Sequence, residues 1–166
     1  MAFVALIAGL LGFARSIVSS MATSGTSHEA GLAREAARQQ IEVLRDMDLE
    51  DIFASFNTDP GDDPDGAGTA PGRFFAVEEL DLALGDADGF AGEVLLPYVD
   101  VAPGVLREDL VDKRLGLPRD LNGDGAVDEL DHAGDYQLLP VLVRVEWRST
   151  AGTGRVELRT MLGNLR

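Results

Sequence analysis

The stretch "DLNGDGAVDELD", residues 120–131, gathers oxygen donors at a spacing that can do metal chemistry. Asp120, Asn122 and Asp124 fall at positions 1, 3 and 5 of a twelve-residue loop, with Gly125 at position 6, where the chain must turn sharply. Ala126 offers its backbone carbonyl at position 7, Val127 is apolar at 8, Asp128 stands at 9 and Asp131 at 12. Hard oxygen donors so spaced can wrap a cation of calcium's size within one short loop. The expected metal ligands are therefore Asp120, Asn122, Asp124, Ala126, Asp128 and Asp131, with calcium as the cofactor. The competing reading is an Asp/Gly turn that shares the spacing by chance. A second stretch, "GDADGFAG" at 85–92, places Asp86, Asp88 and Gly89 suggestively but would put Leu84 at position 1, so it fails as a second loop.

Other chemistry is sparse. The chain has no cysteine, which excludes disulfides, zinc–thiolate sites and cysteine nucleophiles. Its two histidines, His28 and His132, are far apart; His28 reads as solvated and His132, directly after the loop, as a surface residue. No G-x-S-x-G, H-E-x-x-H or phosphate-loop pattern occurs, so the expectation is no enzyme. With 29 acidic against 14 basic side chains the formal charge is -15, and no basic stripe exists for a nucleic-acid partner. Such an excess of acid suits bound cations as well as it suits an ordinary soluble surface.

The loop must be held by elements on either side. "MAFVALIAGLLGFARSIVSS" is apolar from Ala2 to Ala14 and reads as a membrane anchor, with Arg15 able to snorkel. From Thr26 onward, Ala33, Ala37, Ile41, Leu44 and Met47 recur at helical steps, with Glu35, Arg38, Gln39, Glu42 and Arg45 mostly opposite. Gly25 and Gly31 predict a kink or thinning, and Asp48 an N-cap for a second helix turning Leu49, Ile52, Phe53 and Phe56 inward. Residues 57–73 read as a loop, 73–77 and 92–99 as strands, and 106–112 as a short helix or turn. The C-terminal segment alternates: Val141, Val143, Val145 and Trp147 on one face, Leu142, Arg144, Glu146 and Arg148 on the other. Val156, Leu158 and Thr160 continue the pattern after "TAGTG", which predicts a β-hairpin covering the helix.

An apolar N-terminus, "GLAREAARQQIEVLR", a polar loop and a final "VRVEWRSTAGTGRVELRTMLG" together resemble the type IV pilin superfamily. The minor pilins and minor pseudopilins of type IV pilus and type II secretion systems are the nearest match in pattern. The resemblance covers both ends, about half of the chain. It implies a prepilin-type helix that anchors the subunit in the inner membrane and then packs among neighbouring subunits. The chain departs from the family in lacking a basic leader, a glycine cleavage site, and the phenylalanine and glutamate that open the mature protein. "AFVALIAGLLGF" is similar to the stretch just after that glutamate, so Met1 is expected to be an internal methionine. The loop itself resembles an EF-hand, and its aspartate at position 12 a dockerin loop; dockerins, however, carry two loops, each followed by a helix.

The expected fold is α+β: a long N-terminal helix packed on a small antiparallel sheet that ends in a hairpin. Residues 1–26 would be the membrane-anchoring and assembly helix, and 27–166 a periplasmic head with a calcium loop at 120–131. The expected function is a structural minor pilin or pseudopilin subunit, single-pass in the inner membrane, with other subunits as partners. The alternative is an exported calcium-dependent binding module with no filament role.

Overall fold

The computed structural model describes residues 25–99, 102–149 and 152–163. The apolar run from Ala2, and Thr150 and Ala151 of the expected hairpin turn, lie outside them. Among the described residues no helix is long and apolar enough to cross a membrane.

Helix α1 covers 25–46 of the described chain and stays helical through Gly31. Neighbouring Ala and Glu residues, strong helix formers, sustain the turn around that glycine. Its buried face is the predicted stripe: Ala33, Ala37, Ile41 and Leu44 are in the core and Met47 packs against it. The chain breaks at Met47–Asp48 and restarts as α2, Leu49–Phe56, with Asp48 at the N-cap position. Asp48 caps with its backbone, since the Asp51 N–H donates to its carbonyl at 3.1 Å while the side chain makes no capping bond. Ile52, Phe53 and Phe56 are buried as the pattern predicted.

The main sheet has four antiparallel strands in the order β1-β2-β5-β6: Phe74–Phe75, Gly92–Leu95, Leu138–Ser149 and Gly152–Gly163. The C-terminal hairpin is its main body, twelve residues in each strand. Val141, Val143 and Val145 are fully buried and sit opposite Thr160, Leu158 and Val156. Trp147, 2% exposed, lies opposite Gly154 and donates from Nε1 to Glu29 Oε2 at 3.1 Å, which ties the sheet to α1. A Cβ on Gly154 would stand 2.3 Å from the indole, so only glycine leaves room for it.

The other sheet face carries a charge ladder. Glu93, Arg144 and Glu157 stand in register across β2, β5 and β6, with Arg144 3.0 Å from Glu157 and 3.5 Å from Glu93. Leu142, predicted on this face, is nevertheless buried. Its neighbour across the hairpin, Arg159, reaches the Arg114 carbonyl at 3.5 Å, which brings the 114 segment over that region.

The middle of the chain departs from the sequence reading. The 73–77 strand shortens to Phe74–Phe75, and 92–99 splits at Leu96–Pro97. Pro97 has no N–H for a ladder. Its far side, Tyr98–Val99, is β3, which pairs through a register irregularity with β4, Ala102–Leu106. Strand β4 was not anticipated, since Pro103 and Gly104 are poor strand formers. Residues 107–112 form bends and no helix, while 57–73 is largely loop and turn, as expected.

Candidate metal centre

The chain from β4 to β5 builds one compact knot around the 120–131 loop. Its neck is closed by the backbone: the Leu121 carbonyl accepts from both Gln137 N at 2.8 Å and Leu138 N at 2.9 Å. Its far end is fastened to β4, with His132 N donating to the Leu106 carbonyl at 2.8 Å and Leu106 N donating to Asp131 Oδ1 at 3.0 Å. Gly123 and Gly125 take φ of +79° and +88°, the left-handed region that a side chain would strain.

The six expected ligands separate into two groups. Asp120 accepts Gly123 N on Oδ1 at 2.6 Å and Gly125 N on Oδ2 at 2.8 Å, so the carboxylate spans the turn. Asn122 Oδ1 accepts Asp124 N at 3.1 Å, and Asp124 Oδ1 accepts Ala126 N at 2.8 Å. These residues are largely exposed and still have lone pairs to offer a cation. Asp128 and Asp131 bond to groups at the far end of the loop. Asp128 Oδ1 accepts Leu130 N at 2.7 Å and lies 3.1 Å from His132 Nε2; Asp131 Oδ1 accepts Ala133 N at 3.0 Å in addition to Leu106 N. Among the described residues, no three of the loop's aspartates bring carboxylate oxygens within 4.8 Å of one another; the trio that does so is Glu108, Asp128 and His132.

Glu108 follows β4 and is 1% exposed. Its Oε1 accepts Leu121 N at 2.5 Å and Asn122 N at 3.0 Å, clamping the start of the loop. His132 is 3% exposed, which corrects its expected surface placement. The backbone bond to Leu106 draws it inward, and its ring then meets carboxylates: Nδ1 is 3.0 Å from Asp135 Oδ1, and Nε2 is 3.8 Å from Glu108 Oε2. Burial opposes the charged imidazolium, but its hydrogen bonds to Asp128 and Asp135 and the field of Glu108 outweigh it and raise the pKa of His132. The Leu130 N–H, followed by His132, lowers that of Asp128. Asp135 also links the two groups, its Oδ2 lying 3.4 Å from Asn122 Nδ2.

Sequence reasoning missed Glu108, His132 and Asp135. Two of them left a signal: His132 follows Asp128 by four residues and precedes Asp135 by three. Glu108 left none, since it meets the loop only through the fold. Among the described residues, Glu108, Asp128 and His132 form a mixed oxygen–nitrogen set that could hold a metal ion. No family model, curated protein or solved structure matches this chain.

Proposed function

We propose that this chain is a minor pilin-like structural subunit whose head is braced by calcium at the 120–131 loop. The observation that carries the reading is the packing of α1: its Ala33, Ala37, Ile41 and Leu44 stripe is buried in the core shared with the C-terminal hairpin. The sequence leading into that helix is apolar from Ala2 to Ala14. A helix that is half apolar anchor and half amphipathic stem suits a subunit held in the inner membrane and then packed among its neighbours' helices. The head would face the periplasm, where calcium at a site of this kind binds with Kd of about 10⁻⁴ to 10⁻³ M. In this reading Asp120, Asn122, Asp124, the Ala126 carbonyl, Asp128 and Asp131 supply oxygen to the ion, and its charge offsets their mutual repulsion.

The test is the mature N-terminus of the native protein, read by mass spectrometry on an envelope fraction. Retention of the Ala2–Val18 segment in membrane or sheared-filament material supports the subunit reading. A mature chain beginning beyond Ala14 and found free of the membrane would leave an exported calcium-binding module instead.

A further inference from the structure

We infer that Glu108, Asp128 and His132 form a centre for a divalent cation that accepts nitrogen, of the Zn²⁺ kind. This inference does not depend on the filament reading, and it shares only Asp128 with the predicted calcium set.

Spacing is the first support. His132 Nε2 lies 3.1 Å from Asp128 Oδ1 and 3.8 Å from Glu108 Oε2, with all three donors within 4.8 Å of one another. Metal bonds of about 2.1 Å put neighbouring ligands about 3.0 to 3.4 Å apart in octahedral or tetrahedral geometry. The His132–Asp128 pair already matches that spacing, and the His132–Glu108 pair needs about 0.4 Å of contraction.

Glu108 gives the second support. Both backbone N–H groups it receives fall on Oε1, leaving Oε2 aimed at Nε2 from beyond hydrogen-bond reach in a residue 1% exposed. Held this way, Oε2 is placed to share a cation with Nε2 while Oε1 keeps both of its backbone bonds.

The third is Asp135. With His132 Nδ1–H donating to Asp135 Oδ1 at 3.0 Å, Nε2 faces carboxylate oxygens of Asp128 and Glu108. In the metal-free site a proton on Nε2 is donated to Asp128 Oδ1 at 3.1 Å, and a cation would take that proton's place. A carboxylate behind a ligating imidazole is the usual outer support of a metal-bound histidine. The nitrogen donor disfavours calcium, which takes oxygen ligands, and favours the zinc and cobalt class. The Asp128 side chain is 37% exposed, so the site opens to solvent there and can admit the ion and a completing water.

The experiment is a Co²⁺ titration of the chelator-stripped full chain, followed by visible absorption. Expected are ligand-field bands saturating at one equivalent, abolished by Zn²⁺ and left standing by equimolar Ca²⁺. His132→Gln and Asp128→Asn should remove them, and Asp135→Asn, a positioning change, should weaken binding about 10- to 100-fold. Asp120→Ala should leave them intact. Asp128→Asn alters a partly exposed side chain and decides the matter even where His132→Gln does not fold. Bands absent from the wild type, or unchanged in Asp128→Asn, overturn the proposal. Loss in Asp120→Ala together with Asp128→Asn also overturns it, since the ion would then sit in the loop.

Discussion

Gly154→Ala tests whether the hairpin grips α1 through Trp147. A Cβ at this position would lie 2.3, 2.4 and 2.8 Å from Cε2, Cζ2 and Cδ2 of the indole. The ring cannot yield freely, because it is 2% exposed and bonded through Nε1 to Glu29. Overpacking of a filled core costs about 1–3 kcal/mol. Displacing the indole also breaks its bond to Glu29. The expected loss is about 1–3 kcal/mol from overpacking, against the gain of about 0.5–1 kcal/mol that alanine brings in place of glycine at an unhindered strand position. Trp147 is the only tryptophan, so urea unfolding followed by its fluorescence reads both the stability and the site itself. The variant should unfold at lower urea with a red-shifted native emission. In a double-mutant cycle, Trp147→Leu should make the alanine nearly harmless. A Gly154→Ala protein with wild-type midpoint and emission would refute the idea that this glycine exists to seat the indole.

Other outcomes follow from the same contacts. In 10 mM calcium, about 10 to 100 times the expected Kd, binding should add about 1.4–2.7 kcal/mol and raise Tm by several degrees. Asp120→Ala should abolish that rise while leaving Tm in chelator near the wild-type value; equal loss in both conditions would sink the brace. Tyr136 hydroxyl donates to the Leu49 carbonyl and accepts from Phe53 N, so Tyr136→Phe should cost about 1–3 kcal/mol in urea unfolding at neutral pH. Burial pushes the Tyr136 phenol up to about 12. The folded state thus favours the neutral phenol, and that contribution is full below the unfolded value of about 10 and lost as pH rises through 12. An alkaline titration of stability should show this limb in the wild type and lack it in Tyr136→Phe. Ala37→Leu, on a fully buried helix position, should lower stability by about 1–3 kcal/mol, whereas the same change at exposed Arg38 should be nearly neutral by thermal melting.

The α1 stripe and the hairpin were legible because each repeats one period over many residues against a single partner. Ala33, Ala37, Ile41 and Leu44 keep helical steps, and Val141, Val143, Val145 and Trp147 keep the alternation of a half-buried strand. Leu142 breaks the second inference, since its own strand cannot reveal that the 114 segment lies over the outer face. Strand β4 was illegible for the opposite reason: Pro103 and Gly104 are poor strand formers, and only pairing with β3 makes the segment extended. At the site, the loop's spacing announced oxygen donors, but not which way each would face. The inward turn of His132 depends on the Leu106 carbonyl and that of Glu108 on two N–H groups at the loop's start, all supplied by distant segments.

A metal in this knot would act on charge more than on topology. Residues 120–135 carry Asp120, Asp124, Asp128, Glu129, Asp131 and Asp135 with no lysine or arginine among them. Those like charges are confined in a loop whose neck is already shut by two backbone bonds at Leu121 and whose far end is held at Leu106 by one backbone bond and one to the Asp131 carboxylate. The hairpin below is secured by its own ladder and by the Trp147–Glu29 contact, which lies at the opposite end of β5 from the neck. Backbone closure therefore sets where the carboxylates sit, and repulsion among them is the term a cation removes. Because that term is local, ion binding should set the rigidity and surface charge of the loop while the joint between helix and sheet stays intact. A chain built this way can keep its helix docked on the sheet while a cation changes the charge its loop presents.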